Sequence, residues 1–249
     1  MYHFLPLTLL AVLTFISSVC ANLPTMVNLR VEGSSQTIFE GPIITRGHNV
    51  TTPSGGNHHC DGTNNHANPL PGPTCTSALD DAHKLAHFPF DGYVGYFFVS
   101  HCERWLIAGS DHYSTFSTAF DDFFITSING ETQTSTEFWG ILLNFEFTPV
   151  GGCQQEVKRN DDVLFAFNAF NANAFLKLTG PTTAHVGHPV VFTVTDGQTS
   201  KVVAGATVNG QTSDASGHVS VTFTHPGRQS VKATKSNAIR SNKVTVIVS

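Results

Sequence analysis

The last third of the chain alternates hydrophobic and polar residues in short stretches that are rich in Val and Thr. Alternation with a period of two places successive side chains on opposite faces of a strand. Turn pairs such as Asp196-Gly197 and Asn209-Gly210 separate the stretches. Short strands at regular spacing, joined by such turns, are typical of a β-sandwich. The strands predicted here are 190–195, 206–208, 219–224, 231–234 and 244–248.

The pattern between residues 22 and 179 is mixed. Apolar residues recur at helical spacing from Thr76 to Phe88, which predicts one helix with Ser77 and Asp80 as its capping pair. Alternating or aromatic stretches around this helix predict strands at 27–32, 37–39, 123–128, 138–147 and 163–170. The pattern therefore predicts an α+β part followed by an all-β part.

The first 21 residues predict a secretory signal peptide. Leu5 to Val19 is an uncharged apolar run, and Val19-Cys20-Ala21 supplies small residues for cleavage after Ala21. An uncleaved anchor is the alternative, but the run is shorter than the ~20 residues that span a bilayer. No later segment is long enough to span. We therefore expect a secreted protein, extracellular or associated with a cell wall, with no transmembrane segment after cleavage.

Charge and aromatic content change near Gly180-Pro181. Residues 22–179 hold 7 Lys+Arg, 16 Asp+Glu and 16 of the 20 Phe, whereas residues 180–249 hold 6 Lys+Arg, 2 Asp+Glu and 2 Phe. A composition shift at a Gly-Pro pair indicates a domain boundary. We therefore predict one domain at 22–179 and a second at 180–249. The net charge of −5 argues against nucleic-acid binding, which needs a basic face.

The second predicted domain resembles the bacterial-type Ig-like modules of extracellular and cell-surface proteins. The string VGHPVVFTVTDG, the strand AGATV and the turn TSDASG carry this resemblance. It implies an all-β Ig-like sandwich that spaces, displays or adheres. The internal Cys pair of antibody domains is missing from this string.

The first predicted domain resembles an uncharacterised secreted domain of fungi and bacteria, related to the C-terminal lobe of transcobalamin. The segments VNLRVEG, TIFEGPI, CDGTNN, FDDFFITSING, FWGILLN, PVGGCQ and NDDVLFAFNAF carry the resemblance. It covers roughly 27–179 and implies a β-grasp-like α+β domain. Asn144-Phe145 stands where related sequences often carry Asn-Gly, which argues against a tight two-residue hairpin. No residue matches a cobalamin contact, so we expect no cofactor.

The segment 93–115 does not fit that resemblance and has neither helical nor strand periodicity. Two interpretations stay open: a genuine loop insertion, or a retained intron in the gene model. If the segment is spurious, Cys102 is lost with it and Cys75 has no obvious partner.

Four cysteines follow the signal peptide: Cys60, Cys75, Cys102 and Cys153. An even number in an oxidising compartment predicts two disulfide bonds, with three possible connectivities. Cys60 and Cys153 lie in the motifs of the transcobalamin-related resemblance, which favours this pair and leaves Cys75–Cys102 as the weaker one. Asn49-Val50-Thr51 is a glycosylation acceptor sequence, for which we expect a surface loop.

Histidines are frequent between residues 48 and 87. His83 and His87 share a face of the predicted helix and could bind one divalent ion, with further ligands from His58, His59 and His66. However, the Glu of the metalloprotease motif does not follow His83. Solvated loop histidines are the favoured interpretation, and metal binding is the weaker one.

Aromatic strands offer a candidate ligand surface. If some of their Phe lie outside the core, they would bind a carbohydrate or an apolar ligand. The candidates are Phe124, Trp139, Phe165 and Phe167. The acidic pairs 80–81, 121–122 and 161–162 are expected to be structural. Adjacent residues on a strand point to opposite faces, the pair 80–81 lies in the first turn of the predicted helix, where carboxylates favour the dipole, and the pair 161–162 lies in a turn.

No catalytic motif stands out in the sequence. We therefore expect a non-enzymatic secreted or cell-surface protein with a binding or display role. Its partner would be an unknown extracellular molecule or a small apolar or carbohydrate ligand. The alternative is a small-ligand-binding protein, and a metal-dependent hydrolase is the less favoured third hypothesis.

Overall fold

The computed structural model describes residues 22–92 and 116–249. Over these residues the fold is mostly β, with several sheets and a single α-helix. No helix in this part of the chain is long and apolar enough to cross a membrane. The predicted signal peptide at 1–21, the segment 93–115 and Cys102 lie outside the described residues.

The strands and helices follow one another closely along the chain. In the first half they are β1 (Thr25–Glu32), β2 (Thr37–Thr45), β3 (His48–Thr52), β4 (Gly56–Cys60), α1 (Cys75–Ala86), β5 (Phe90–Gly92), β6 (Phe116–Ser117), β7 (Asp122–Phe123), β8 (Ile125–Ile128) and β9 (Glu131–Thr132). Those after them are β10 (Trp139–Leu143), β11 (Glu146–Phe147), β12 (Asp162–Phe167), β13 (Leu176–Thr179), β14 (Thr183–Ala184), β15 (Pro189–Asp196), β16 (Thr207–Val208), β17 (Gln211–Thr212), β18 (His218–Thr222), β19 (Gly227–Val231), β20 (Ala233–Thr234) and β21 (Val244–Val248). Short 3₁₀ turns lie at Asn64–His66 and Ala169–Asn171.

The described residues form two compact units. The first unit comprises the described residues of Met1–Asn28, Pro42–Thr132 and Thr148–Asp161. The second unit comprises Leu29–Gly41, Gln133–Phe147 and Asp162–Ser249. The predicted domain boundary at Gly180-Pro181 stays a prediction.

The predicted helix is confirmed as α1, but its predicted cap is wrong. Thr74 is extended (φ −127°, ψ 167°), and its side chain accepts a hydrogen bond from the Ser77 N–H. The Ser77 hydroxyl accepts from the Thr74 N–H in return, which completes a capping box. The helix therefore begins at Cys75, and Asp80 lies in its second turn rather than its first. The left-handed His87 (φ 58°) ends it.

One sheet has five strands, in the order β11-β10-β12-β1-β2. Strand β12 lies in its centre and is buried from Val163 to Phe167. Because both faces of such a strand are covered, its sequence is a nearly continuous apolar run. Its aromatic residues are therefore core residues.

The β10–β11 hairpin has a two-residue turn, so the expectation against a tight turn at Asn144-Phe145 is wrong. Leu143 lies opposite Glu146, and the two turn residues have φ values of 52° and 70°. Backbone of this kind is unusual for a bulky residue such as Phe. Asn144 is held by Asp162, whose N–H donates to its side-chain oxygen at 2.9 Å.

Packing of the Phe145 ring compensates for its unusual backbone. The charged groups of Arg30 and Lys177 lie over the ring at 5.8 and 5.6 Å from its centroid, in cation–π geometry. Gly197 faces the ring so closely that a side chain there would overlap it. Tertiary contacts thus fix a turn that local sequence preferences disfavour.

The second half of the chain forms a layered β structure. Strand β15 pairs antiparallel with β13 and β18, while β21 pairs antiparallel with β19 and parallel with β14. Between these strands lies a core that includes Phe192, Val194, Val221 and Val246, all fully buried. This agrees with the predicted all-β sandwich at 180–249, whereas the β-grasp-like α+β fold of 22–179 stays a prediction.

Replacing Gly197 with Ala tests the packing of the Phe145 turn. The new Cβ would overlap the Phe145 ring, so we expect Gly197→Ala to lower the free energy of unfolding by about 1–3 kcal/mol. Urea denaturation measures this change. Gly41→Ala is the matched control, because the nearest atom to its new Cβ is 3.8 Å away. Equal stability of the two variants would contradict the packing described here.

Candidate functional site

The five histidines proposed as metal ligands do not form a ligand group in the described residues. His58 stacks on Phe116, with ring centroids 3.6 Å apart, and His59 lies 3.4 Å from an oxygen of Asp121. His83 bonds the backbone oxygen of Phe88 through Nδ1. The remaining two, His66 and His87, are exposed. Three of the five side chains thus make separate local contacts and two are exposed, and the weaker interpretation of a shared metal site stays a prediction.

A different histidine lies beside two carboxylates. His48 on β3 and Asp80 and Asp81 on α1 have ligand atoms within 4.8 Å of one another. Both ring nitrogens of His48 already have hydrogen-bond partners: Nε2 is 2.7 Å from Asp80 and Nδ1 is 2.7 Å from the Arg46 oxygen. A metal needs a ring nitrogen with a free lone pair, so this group is better described as an ion pair between β3 and α1.

The pKa shifts agree with that ion pair. The hydrogen bond to Asp80 raises the pKa of His48. Burial alone would raise the pKa of Asp80, but the hydrogen bonds from His48 and Lys84 outweigh it and lower that pKa. The charged forms of both side chains are thus favoured in the folded state.

The first unit contains Cys60, Cys75 and Cys153 and the predicted glycosylation site at Asn49. Cys60 and Cys153 form a disulfide bond with sulfur atoms 2.00 Å apart. Cys75 is buried, has no disulfide bond to a described cysteine, and has its thiol pKa raised by burial. The Cys75–Cys102 pair stays a prediction, since Cys102 is outside the described residues. Asn49 is exposed, but on strand β3 rather than on the expected loop.

Asp122 supports the loop that carries Cys153. Its carboxylate accepts hydrogen bonds from the backbone N–H groups of Phe123, Cys153 and Gln154, at 2.7–3.2 Å. Burial raises the pKa of Asp122 to about 6, although these N–H donors act in the opposite direction. Asp122 therefore fastens this loop, whereas the Asp121 carboxylate accepts a hydrogen bond from the Asn65 N–H at 2.8 Å.

Three of the four aromatic ligand candidates are buried. Trp139 is 6% exposed, Phe167 is 7% exposed and Phe165 is fully buried, so the expected exposed aromatic surface is wrong for these three. Phe165 and Phe167 lie on the central strand β12, whose faces are both covered, and Trp139 lies on the neighbouring strand β10, where its ring packs against Phe167 with centroids 5.4 Å apart. Phe124 in the first unit is 53% exposed. Its role as a ligand contact stays a prediction.

A groove in the second unit is the strongest candidate site. Its volume is about 660 Å³, and we call it the polar groove. Its lining is dominated by hydroxyl, amide and charged side chains. The lining residues are Glu32, Gly33, Ser34, Ser35, Glu137, Phe167, Asn168, Asn171, Ala172, Gly205, Thr207, Thr234, Lys235, Ser236, Asn237, Ala238, Ile239 and Arg240. None of the motifs predicted this groove, since its residues come from five separate segments of the chain.

One wall of the polar groove is an amide and carboxylate network. Asn168 follows β12 in a left-handed conformation (φ 55°), and its Nδ2 donates to Glu137 Oε1 at 3.1 Å. Asn171 Nδ2 donates to Asn168 Oδ1 at 2.5 Å and to the Thr136 backbone oxygen at 3.0 Å. These bonds fix the orientation of both amides before any ligand arrives.

Glu32 and Arg240, which line the polar groove, belong to a buried ion-pair cluster. Glu32, 1% exposed, accepts hydrogen bonds from Lys232 at 2.5 Å and from Arg240 at 2.8 Å. Lys232 also donates to Glu40 at 2.9 Å. Arg240 donates to the backbone oxygens of Gly33, Ser34 and Gln36, which form the turn between β1 and β2. The cluster therefore joins this turn to the β19–β21 region.

Comparison with known families gives one partial match. A family model described as a domain of unknown function (DUF4430) matches residues 107–169. No curated protein matches the chain. The match is narrower than the resemblance over 27–179 and begins inside the segment 93–115, so part of that segment is shared with the family. It includes Glu137 and Asn168 of the polar groove.

Replacing His48 with Gln tests the ion pair with Asp80. Because the folded-state pKa of His48 is raised, its contribution to stability is complete below its ordinary pKa of about 6.5 and is lost as the pH rises through the raised value. We expect His48→Gln to cost about 1 kcal/mol at pH 5.5 and much less at pH 8. Urea denaturation at the two pH values measures this difference. His66→Gln, an exposed control, should show little loss at either pH, and an equal loss for His48→Gln at both would contradict the ion pair.

Replacing Glu32 with Gln tests the buried cluster. The variant leaves Arg240 without its carboxylate partner and Lys232 with Glu40 alone, so we expect a loss of about 3 kcal/mol in the free energy of unfolding. Glu146→Gln, at an exposed position of β11, should change it by less than about 0.5 kcal/mol. Urea denaturation compares the two variants. If they lose equally little stability, the cluster does not hold the groove together.

Proposed function

We propose that the protein is a non-enzymatic, exported binding protein whose ligand lies in the polar groove. The observation that carries this proposal is the lining of the groove, where preoriented amides and hydroxyls converge on a space of about 660 Å³. Concave sites with a few fixed polar groups are the usual form of ligand pockets. The lining favours a hydrophilic ligand over an apolar one.

The hydrogen bonds of the carboxylates in the polar groove support ligand binding rather than catalysis. Hydrolysis of a glycosidic bond uses two carboxyl groups with separate roles on either side of the bond. Of the two acidic residues that line the polar groove, Glu32 has both oxygens engaged by Lys232, Arg240 and Thr37. Glu137 is thus left without a second reactive carboxylate in the groove.

Export is supported by the predicted signal peptide together with the Cys60–Cys153 disulfide bond, since such bonds persist in oxidising compartments. We also propose that the matched residues 107–169 belong to a wider domain over 27–179, related to the C-terminal lobe of transcobalamin. Support for this comes from the motifs listed above and from the partial family match. The Ig-like part, which contributes Gly205, Thr207 and residues 234–240 to the polar groove, would then take part in binding as well as in display at a cell surface or wall.

Blocking the polar groove tests the proposed function. Cellohexaose, chitohexaose and a Gly-Ser hexapeptide are each added to the protein, and the melting temperature is recorded. We expect at least one of them to raise it, because a ligand that binds the folded state stabilises that state. Ser236→Trp, which fills the groove, should abolish the rise, and the bound compound should be recovered unchanged.

Ser220→Trp is the matched control, since Ser220 is exposed on β18 outside the groove. This variant should retain the full rise in melting temperature. The proposed function is contradicted if none of the compounds stabilises the protein, or if Ser236→Trp responds as the control does.

A further inference from the structure

We infer that the polar groove binds a neutral oligosaccharide, with Asn168 and Glu137 as its recognising pair and Phe170 as a stacking platform for a sugar unit beyond the groove. This inference rests on the proposed function and deepens it.

The recognising pair offers donors and acceptors side by side. An Asn amide has two N–H donors and an oxygen with two lone pairs, and a carboxylate accepts at several positions. The Asn168 side chain donates one N–H to Glu137 and accepts one hydrogen bond from Asn171. One N–H and one oxygen lone pair of this amide therefore remain beyond its bonds to described residues. Neighbouring sugar hydroxyls, which both donate and accept, match such a pair.

Another part of the lining presents hydroxyl groups. Thr207 and Thr234 are cross-strand partners on β16 and β20, and both are exposed. Ser236 follows two residues later and is exposed as well. Hydroxyls and amides in the same lining suit a ligand that is polar over its whole circumference.

The charges of the groove favour a neutral ligand. Glu32 is paired with Lys232 and Arg240, and Lys235 donates to the backbone oxygen of Ala204 at 2.5 Å. Arg240 is directed at Glu32 and at backbone oxygens of the β1–β2 turn. Cations already engaged in this way are poor sites for a phosphate or a carboxylate ligand.

The backbone at the groove favours a saccharide over a peptide. An extended peptide gains its affinity by pairing with an open strand edge. At β20 this edge is occupied, because the Ala233 N–H donates to the Ser241 hydroxyl and the Ala233 oxygen accepts from the Ser241 N–H. Recognition in the groove therefore depends on side-chain hydroxyls and amides.

Phe170 provides a flat apolar surface outside the lining of the polar groove, two residues after Asn168 in the chain. It lies in the 3₁₀ turn Ala169–Asn171, directly before Asn171, and is 61% exposed. Its ring stacks on Phe147, with centroids 5.0 Å apart and an interplanar angle of 12°. Gly140 makes room for this pair, because a Cβ there would meet Ala169 at 2.6 Å and Phe147 at 3.0 Å. The Phe170 ring is thus packed on Phe147 while most of the residue is exposed to solvent.

Titration calorimetry with short and long sugars tests these roles. Cellobiose, chitobiose, cellohexaose and chitohexaose are titrated into the wild type and into Asn168→Gly, which removes the amide but tolerates the positive φ. We expect Asn168→Gly to raise the Kd for the bound disaccharide and hexasaccharide alike by about tenfold. Phe170→Ala should raise only the hexasaccharide Kd, by a similar factor. Phe120→Ala, at a 68% exposed position of the first unit, should change neither.

Two results would overturn the inference while leaving the proposed function intact. One is that the Gly-Ser hexapeptide binds and is blocked by Ser236→Trp, while the sugars do not bind. The other is that a sugar binds with an affinity that Asn168→Gly and Phe170→Ala leave unchanged. If no probe is sensitive to Ser236→Trp, the proposed function itself fails.

Discussion

The buried carboxylate of Glu32 is the contact on which the second unit depends. It pairs with Lys232 and Arg240, which are 200 and 208 residues away along the chain. A desolvated charge is tolerated only when its partners are in place. The β1–β2 turn, the β19–β21 region and part of the lining of the polar groove are therefore fixed together, and the proposed ligand binding depends on the stability of this cluster.

Local patterns in the sequence account for most elements but not for this cluster. The helix α1 and the strand β21 follow from their apolar periodicity, and Cys60–Cys153 followed from motifs. The charge asymmetry between 22–179 and 180–249 was the available signal for the cluster, since Glu32 comes from the acidic half and Lys232 and Arg240 from the basic half. Periodicity within a short window cannot pair residues so distant in sequence.

The candidate site was harder to predict, for two physical reasons. Alternation along an aromatic strand does not show whether one or both faces are covered, and the central position of β12 placed Phe165 and Phe167 in the core. The polar groove is instead built from turn residues such as Asn168, whose left-handed backbone follows from no motif in isolation. Asn144 and Asn160 adopt the same left-handed conformation, so an Asn in a turn indicates turn geometry and does not by itself indicate a binding site.

We propose that a ligand occupies the polar groove of the second unit. Amide hydrogen exchange, measured with and without cellohexaose or chitohexaose, tests this proposal, because it maps protection along the chain without a substitution. We expect slower exchange at 134–137, 168–173, 205–208 and 234–240, with no change in α1. Protection confined to the first unit, or equal exchange with and without both sugars, would contradict it.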